Sequence, residues 1–208
     1  MRIWLPSTCR AMSSTGSRTT PSSPGSRSQI DSLWALTATN RVRNEGREFV
    51  ISISEAAAQF LSKRRIAVTG VSHTSPGQHG GNAVYRRLRS EGYEVFAVNP
   101  NADEVEGDRS FHDLSDIPSG VEAVVIATSP VHADETMRRC VEFGIGYVWM
   151  HRGPGAGSVS PSASKFGREQ GIVVIDGGCP LMFLPKTDPG HKFLLRIGIW
   201  TGKVPRQV

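Results

Sequence analysis

Five apolar runs constrain this chain more than any other feature: "RIAVTG", "YEVFAVNP", "EAVVIAT", "GYVWM" and "IVVID". Each is near-continuous in Val, Ile, Ala and aromatic residues, the pattern of strands buried on both faces rather than on one. Helical stretches separate most of them. "SEAAAQFLSK" precedes the first run, with Ser54 placed as an N-cap. "NAVYRRLRSEG" puts Val84, Tyr85 and Leu88 on one face and stops at Gly92. Pro130 opens "VHADETMRRCVEFG", and Ser160 with Pro161 opens "SPSASKFGREQG". A short "EVEG" strand and a polar helical turn around "DLSDIP" complete the pattern. Strand and helix alternate four times, which predicts an α/β fold: a doubly wound, Rossmann-like parallel sheet of five to six strands.

The alternation starts only after residue 50, and the chain before it has a different chemistry. Residues 1–30 hold four arginines, no acid and twelve Ser or Thr, too little apolar surface to fold alone. Residues 1–50 are therefore expected to be a disordered or non-native N-terminal extension. The Arg- and Ser-rich, acid-poor composition also suits a targeting segment, although it shows no clear amphipathic period. The charge of +5 follows the same division, with seven basic and three acidic side chains in residues 1–48 against seventeen and sixteen in residues 49–208. A nearly neutral folded part argues against a nucleic-acid partner. No run of about 18 apolar residues exists to span a membrane, and three scattered cysteines make neither a disulfide framework nor a zinc site. The expectation is a cytoplasmic protein with a small-molecule ligand.

In a doubly wound sheet, ligands bind beyond the carboxyl ends of the strands where the strand order reverses. With "YEVFAV" and "EVEG" on one side of "RIAVTG" and "EAVVIAT" on the other, that crevice falls between residues 70–81 and 128–130. Gly70, Gly80 and Gly81 leave room for an anion beside backbone N–H groups at a helix start, and Ser72, Thr74 and Ser75 add hydroxyls. A nicotinamide or flavin dinucleotide calls for G-x-G-x-x-G here and an acid at the end of the next strand. The chain has "GVSHTS", then Asn99 and Pro100, with Asp103 and Glu104 a few residues too late. Both criteria fail.

The pieces "IAVTGVS" (66–72), "VFAVNPNADEVEG" (95–107), "VVIATSP" (124–130), "VWMHRG" (148–153) and "CPLMF" (179–183) resemble, in that order, the small coenzyme A-binding Rossmann proteins. These are related to the CoA-binding domain of the succinyl-CoA synthetase α subunit. The resemblance covers about residues 55–205 and makes 51–208 a CoA-binding domain with a C-terminal helix. It implies coenzyme A with its pyrophosphate near Gly70, Val71, Ser72, Gly80 and Gly81. It also implies an adenine and 3′-phosphoribose near Val98, Asn99 and Pro100, and a pantetheine arm passing Ala127, Thr128, Ser129 and Pro130. The synthetase relatives carry a lysine just after the proline, where this chain has Asn101 and Ala102. Charge for a 3′-phosphate then has to come from elsewhere, with Arg109 and the Lys63–Arg65 cluster as candidates.

No catalytic residue is assigned, and a non-catalytic carrier, sensor or subunit is the leading expectation. Cys179, in "DGGCP" directly after the last strand, is placed at the ligand edge, where a mixed disulfide with the CoA thiol is conceivable. A thiol-disulfide or acyl-CoA enzyme using Cys179, or a nicotinamide-dependent oxidoreductase, is the alternative. His73 and His79 fall in the phosphate loop, His151 at a strand end, and Cys140 on a core-facing helix. A metal site from Cys179, His151 and His191 lacks any short ligand spacing, so none is expected. In "HKFLLRIGIWTGKVP" Phe193, Leu194, Ile197 and Trp200 recur near helical spacing, predicting a helix packed on the domain with a homodimer contact as its rival.

Overall fold

A computed structural model describes residues 50–73, 80–153 and 157–208, and residues 49–208 group as one compact unit. Apart from Val50, the expectation for residues 1–50 lies outside the described residues, as do those for Thr74, Ser75 and His79.

The chain enters through helix α1 (Ile53–Leu61), followed by β1 (Arg65–Thr69), α2 (Gly81–Ser90) and β2 (Glu94–Val98). A hairpin of β3 (Glu104–Val105) and β4 (Asp108–Phe111) comes next, then a 3-10 turn at Leu114–Asp116. The second half runs β5 (Ala123–Ile126), α3 (Pro130–Glu142), β6 (Tyr147–Met150), α4 (Pro161–Glu169) and β7 (Val173–Asp176). A 3-10 segment Pro180–Phe183 and helix α5 (Pro189–Trp200) close it.

The seven strands order as β3-β4-β2-β1-β5-β6-β7, parallel except for the antiparallel β3–β4 pair. The doubly wound sheet expected from the sequence is present, with one strand more than the upper end of the expected range. The extra strand is β4, whose "DRSF" has no apolar run to announce it. It pairs with β2 only through Ala97–Ser110 and Val98–Phe111. Glu106 and Gly107, both at positive φ, turn β3 back onto β4 as a two-residue hairpin requires.

Alternation along each strand divides the core into two layers. Ile66, Val68, Val125, Trp149 and Ile175 face α1, α2 and the 3-10 segment. Ala67, Val124, Ile126, Val148, Met150 and Val174 face α3 and α4. Trp149 anchors the first layer. Its ring meets Phe60 edge-on at 5.4 Å between centroids, a contact worth about 0.5–1.5 kcal/mol beyond area burial, and Nε1 donates to the Gly177 carbonyl at 2.9 Å.

Two local details differ from expectation. The cap of α1 is Ser52, whose hydroxyl accepts from the Glu55 N–H at 3.2 Å. Ser54 is already inside the helix, because Ile51 pairs with Val208 in both directions and Ser52 bridges Gln207, which holds the chain extended up to Ser52. Helix α5 forms, but the stripe expected to pack on the domain does not face it: Leu194 and Ile197 are exposed along with Phe193 and Trp200. Leu195 and Ile199 pack on the core, whereas Phe193 (63%) and Trp200 (83%) stand exposed. Among the described residues no helix is long and apolar enough to cross a membrane.

Candidate functional site

The sheet reverses its winding between β1 and β5, since α2 covers one face and α3 the other. At the carboxyl ends of these two strands the backbone segments approach too closely for side chains. Gly70 has φ +77°, and a Cβ there would lie 2.2 Å from the Ala127 carbonyl oxygen. A Cβ on Gly81 would lie 2.8 Å from the Gly70 oxygen, and one on Gly80 (φ +80°) 2.4 Å from His151 Cε1. The three glycines therefore let the ends of β1, β5 and β6 and the start of α2 meet. Gly80 caps α2 without a side-chain hydrogen bond, so the partial positive charge of the helix start is not consumed by its own cap.

Two amide side chains hold the loop after β1. Asn82, buried on α2, accepts from the Ser72 N–H through Oδ1 at 3.3 Å and donates from Nδ2 to the Ser72 carbonyl at 3.0 Å. Its Nδ2 also donates to Glu106 Oε1 at 2.5 Å. Asn99, at the end of β2, donates to the Val71 carbonyl at 2.8 Å and accepts from the Asn101 N–H at 2.9 Å. Val71 and Ser72 are thus fixed from both sides.

Beside this loop lies an open crevice of about 510 Å³, lined by the loop after β1, residues 98–101, residues 112–114, Thr128 and Ser129, and one flank of α3. The size suits an organic ligand rather than an ion. Thr128 Oγ1, one of its lining atoms, is buried with no hydrogen-bond partner among the described residues. On the lining from α3, Arg139 grips Asp113 by a two-pronged contact, Nη2–Oδ1 at 2.6 Å and Nε–Oδ2 at 3.1 Å. It also donates to Glu142 at 2.6 Å. The Arg139 guanidinium holds the Asp113 carboxyl below its ordinary range.

Of the sequence-predicted site residues, Gly70, Val71, Ser72, Val98, Asn99, Pro100, Thr128 and Ser129 line this crevice. Gly80, Gly81 and Ala127 stand behind it as the backbone crossing just described, and Pro130 is the first residue of α3. Cys179 is not brought to the crevice. It is buried with Leu181 and Met182 in the first core layer, and burial pushes its thiol up to about 12, so the edge thiol expected from "DGGCP" is a core side chain. His151 is likewise buried, its ring filling the space over Gly80. Cys140 is core, as expected. His191 pairs with Asp188 at the start of α5, and no group of three metal-ligating side chains occurs among the described residues.

The cations nominated from sequence lie elsewhere. Arg65 sits at the amino end of β1, where it pairs with Glu94 and donates to the Gly120 carbonyl at 3.0 Å. The Arg64 and Arg65 N–H groups donate to Glu122, and Lys63 lies 4.4 Å over the Tyr147 ring. Arg109 lies over Phe111 at 5.0 Å, in a neighbouring hollow that shares only His112 with the crevice. Sequence reading missed Asn82, Asp113 and the α3 flank. A signal for the flank existed: His132, Glu135, Thr136 and Arg139 repeat at i, i+3, i+4 and i+7, a polar helical stripe.

Comparison with known proteins places these segments in a family context. The family described as the CoA binding domain matches residues 64–185. An ADP-forming acetate–CoA ligase II of Archaeoglobus fulgidus is 32% identical over 106 residues, 50% of this chain and 15% of the ligase. The α subunit of an ADP-forming acetate–CoA ligase II of Pyrococcus furiosus is 29% identical over 87 residues, 41% of this chain and 19% of that subunit. The chain thus spans less than a fifth of the length of these relatives. Among solved structures, a hypothetical protein of Pyrococcus horikoshii superposes with a TM-score of 0.55 at 26% identity, covering 61% of this chain and 86% of that one.

Proposed function

The chain belongs to the CoA binding domain family, and from that premise we propose that it binds coenzyme A or an acyl-CoA in the crevice at the carboxyl edge of the sheet. The observation that carries this reading is the glycine crossing of Gly70, Gly80 and Gly81. It brings the start of α2 beside the loop after β1 with no Cβ in the way, an arrangement suited to a pyrophosphate. The helix start contributes about 0.3–1 kcal/mol toward an anion, more where water is excluded. The adenosine rests against Val98, Asn99 and Pro100, and the pantetheine arm leaves past Ala127, Thr128, Ser129 and Pro130, with Thr128 Oγ1 supplying a hydrogen bond.

The role is that of a non-catalytic carrier, sensor or subunit. Cys179, with a thiol at about 12, carries almost no thiolate at neutral pH, and His151 is packed away from solvent. The Pyrococcus furiosus relative is named as an α subunit, which agrees with a part that works alongside others. A reading as a nicotinamide-dependent enzyme has no acid at the end of β2 to recommend it.

Isothermal titration of the full chain with CoA and with NAD tests the proposal, accompanied by native mass spectrometry of protein purified without added ligand. Saturable one-to-one CoA binding without product is the expected result. Retention of a nicotinamide dinucleotide in place of CoA would overturn it.

A further inference from the structure

Resting on the CoA reading, we infer that Glu106, at the tip of the β3–β4 hairpin, is a positioning residue for the loop that receives the ligand's phosphates, acting through Asn82 on Ser72. Glu106 is not itself part of the crevice lining. Its backbone is the first pointer. Among the described residues only Glu106 (φ +54°) and Ser119 (φ +61°) are non-glycine residues in the left-handed region, where Cβ crowds a carbonyl oxygen. With Gly107 also at positive φ, the turn is one that Asn-Gly or Asp-Gly makes more cheaply. A costlier residue held there points to a use for its side chain.

That use is visible in what the side chain reaches. Glu106 Oε1 accepts from Asn82 Nδ2 at 2.5 Å, and Asn82 is buried on α2. The same amide donates to the Ser72 carbonyl at 3.0 Å and accepts from the Ser72 N–H at 3.3 Å. Both of its N–H groups and its oxygen are thereby engaged. An ionised carboxylate only accepts, so it holds the amide the way round that suits Ser72, nitrogen toward the carbonyl. Without Glu106 a buried N–H loses its acceptor, which favours rotation of the amide off Ser72.

Two neighbouring contacts separate this role from attachment of the hairpin. Asp108, the first residue of β4, accepts from the Tyr85 hydroxyl at 2.9 Å and pairs with Arg89, so the hairpin is tied to α2 without Glu106. Arg86 lies 3.3 Å from both Glu106 oxygens, but its side chain is 62% exposed, and such pairs contribute little. The bond to Asn82 is the one that leads to Ser72.

The test is calorimetric titration of the full chain with CoA, on the wild type, Glu106→Gln, Glu106→Asn and Arg86→Ala, with thermal unfolding of each. Gln keeps the length and an accepting oxygen, whereas Asn suits the turn but is one methylene shorter. The CoA dissociation constant is expected to stay within about twofold of wild type for Glu106→Gln and Arg86→Ala and to rise about fivefold for Glu106→Asn. Adding Glu106→Asn to Asn82→Ala should weaken binding no further, because the two act along one path. A residue that serves only the turn gives the opposite order, with Glu106→Asn binding CoA like the wild type and melting no lower than Glu106→Gln. That order, equal losses in Glu106→Gln and Glu106→Asn, or additive losses in the double variant would overturn the inference and leave the CoA reading intact. Absence of CoA binding by the wild type would overturn both.

Discussion

The two ends of strand β1 are built on opposite principles. At its amino end every charge has a partner made of this chain: Arg65 with Glu94 and two carbonyls, Glu122 with two backbone N–H groups, Lys63 over Tyr147. At its carboxyl end side chains are removed, by Gly70, Gly80 and Gly81, and the backbone of a helix start stands beside a crevice. One end is closed by its own ionic contacts, and the other adjoins an open crevice. A basic cluster in a sequence is thus no guide to a ligand's phosphates until its place in the fold is known. "KRR" at 63–65 was one candidate source of charge for a 3′-phosphate and instead braces the amino end of β1.

The sharpest way to break the contrast is Gly70→Ala. The added Cβ would meet the Ala127 oxygen at 2.2 Å in a residue with φ +77°, so β1 and β5 must separate at that point. A loss of about 3 kcal/mol or more in chemical unfolding is expected, together with loss of CoA binding. Next comes Asn82→Ala, which removes both amide hydrogen bonds to the Ser72 backbone. It should cost about 1–3 kcal/mol and weaken CoA about tenfold, with the circular dichroism spectrum unchanged.

Glu122→Gln acts at the closed end. It should lower stability by at most about 1 kcal/mol and leave the CoA dissociation constant where it was. A shift in affinity as large as that of Asn82→Ala would show that the two ends are not functionally separate. The smallest effect is expected in acid. Asp113 is held below its ordinary value of 3.8 by Arg139, and Glu122 below 4.5 by the Arg65 and Arg64 N–H groups. A depressed carboxyl contributes stability that is complete above its unfolded value and disappears as pH falls through the folded one. Denaturant midpoints of the wild type should therefore fall more steeply below about pH 4.5 than those of Asp113→Asn or Glu122→Gln.

Much of this arrangement was legible in the sequence because the central strands are buried on both faces. "RIAVT" and "AVVI" can be little else; the glycines after β1 were read as room for an anion, and only the structure shows that backbones cross there. Strand β4 was not legible, since "DRSF" contacts the sheet through two residue pairs at its margin. Nor was the pairing of Ile51 with Val208, which joins the two ends of residues 50–208. At the site, the glycines were visible as room for an anion and Asn99 as the residue standing where a dinucleotide site has an acid, whereas Asp113 and Arg139 acquire meaning only when the segment after β4 and the flank of α3 meet across the crevice. Cys179 was misplaced for a related reason: a strand-end position was read as a ligand-facing one, while the chain after Gly178 turns inward and packs Leu181 and Met182 with it.

Hydrogen–deuterium exchange of the full chain, with and without saturating CoA, distinguishes the two ends of β1 in a single experiment. Exchange is expected to slow in residues 70–73, 80–84 and 98–101 and at 128–130, with residues 63–66 and 120–122 unchanged. Protection at the amino end of β1, or no protection at the glycine crossing while CoA is bound, would contradict that separation.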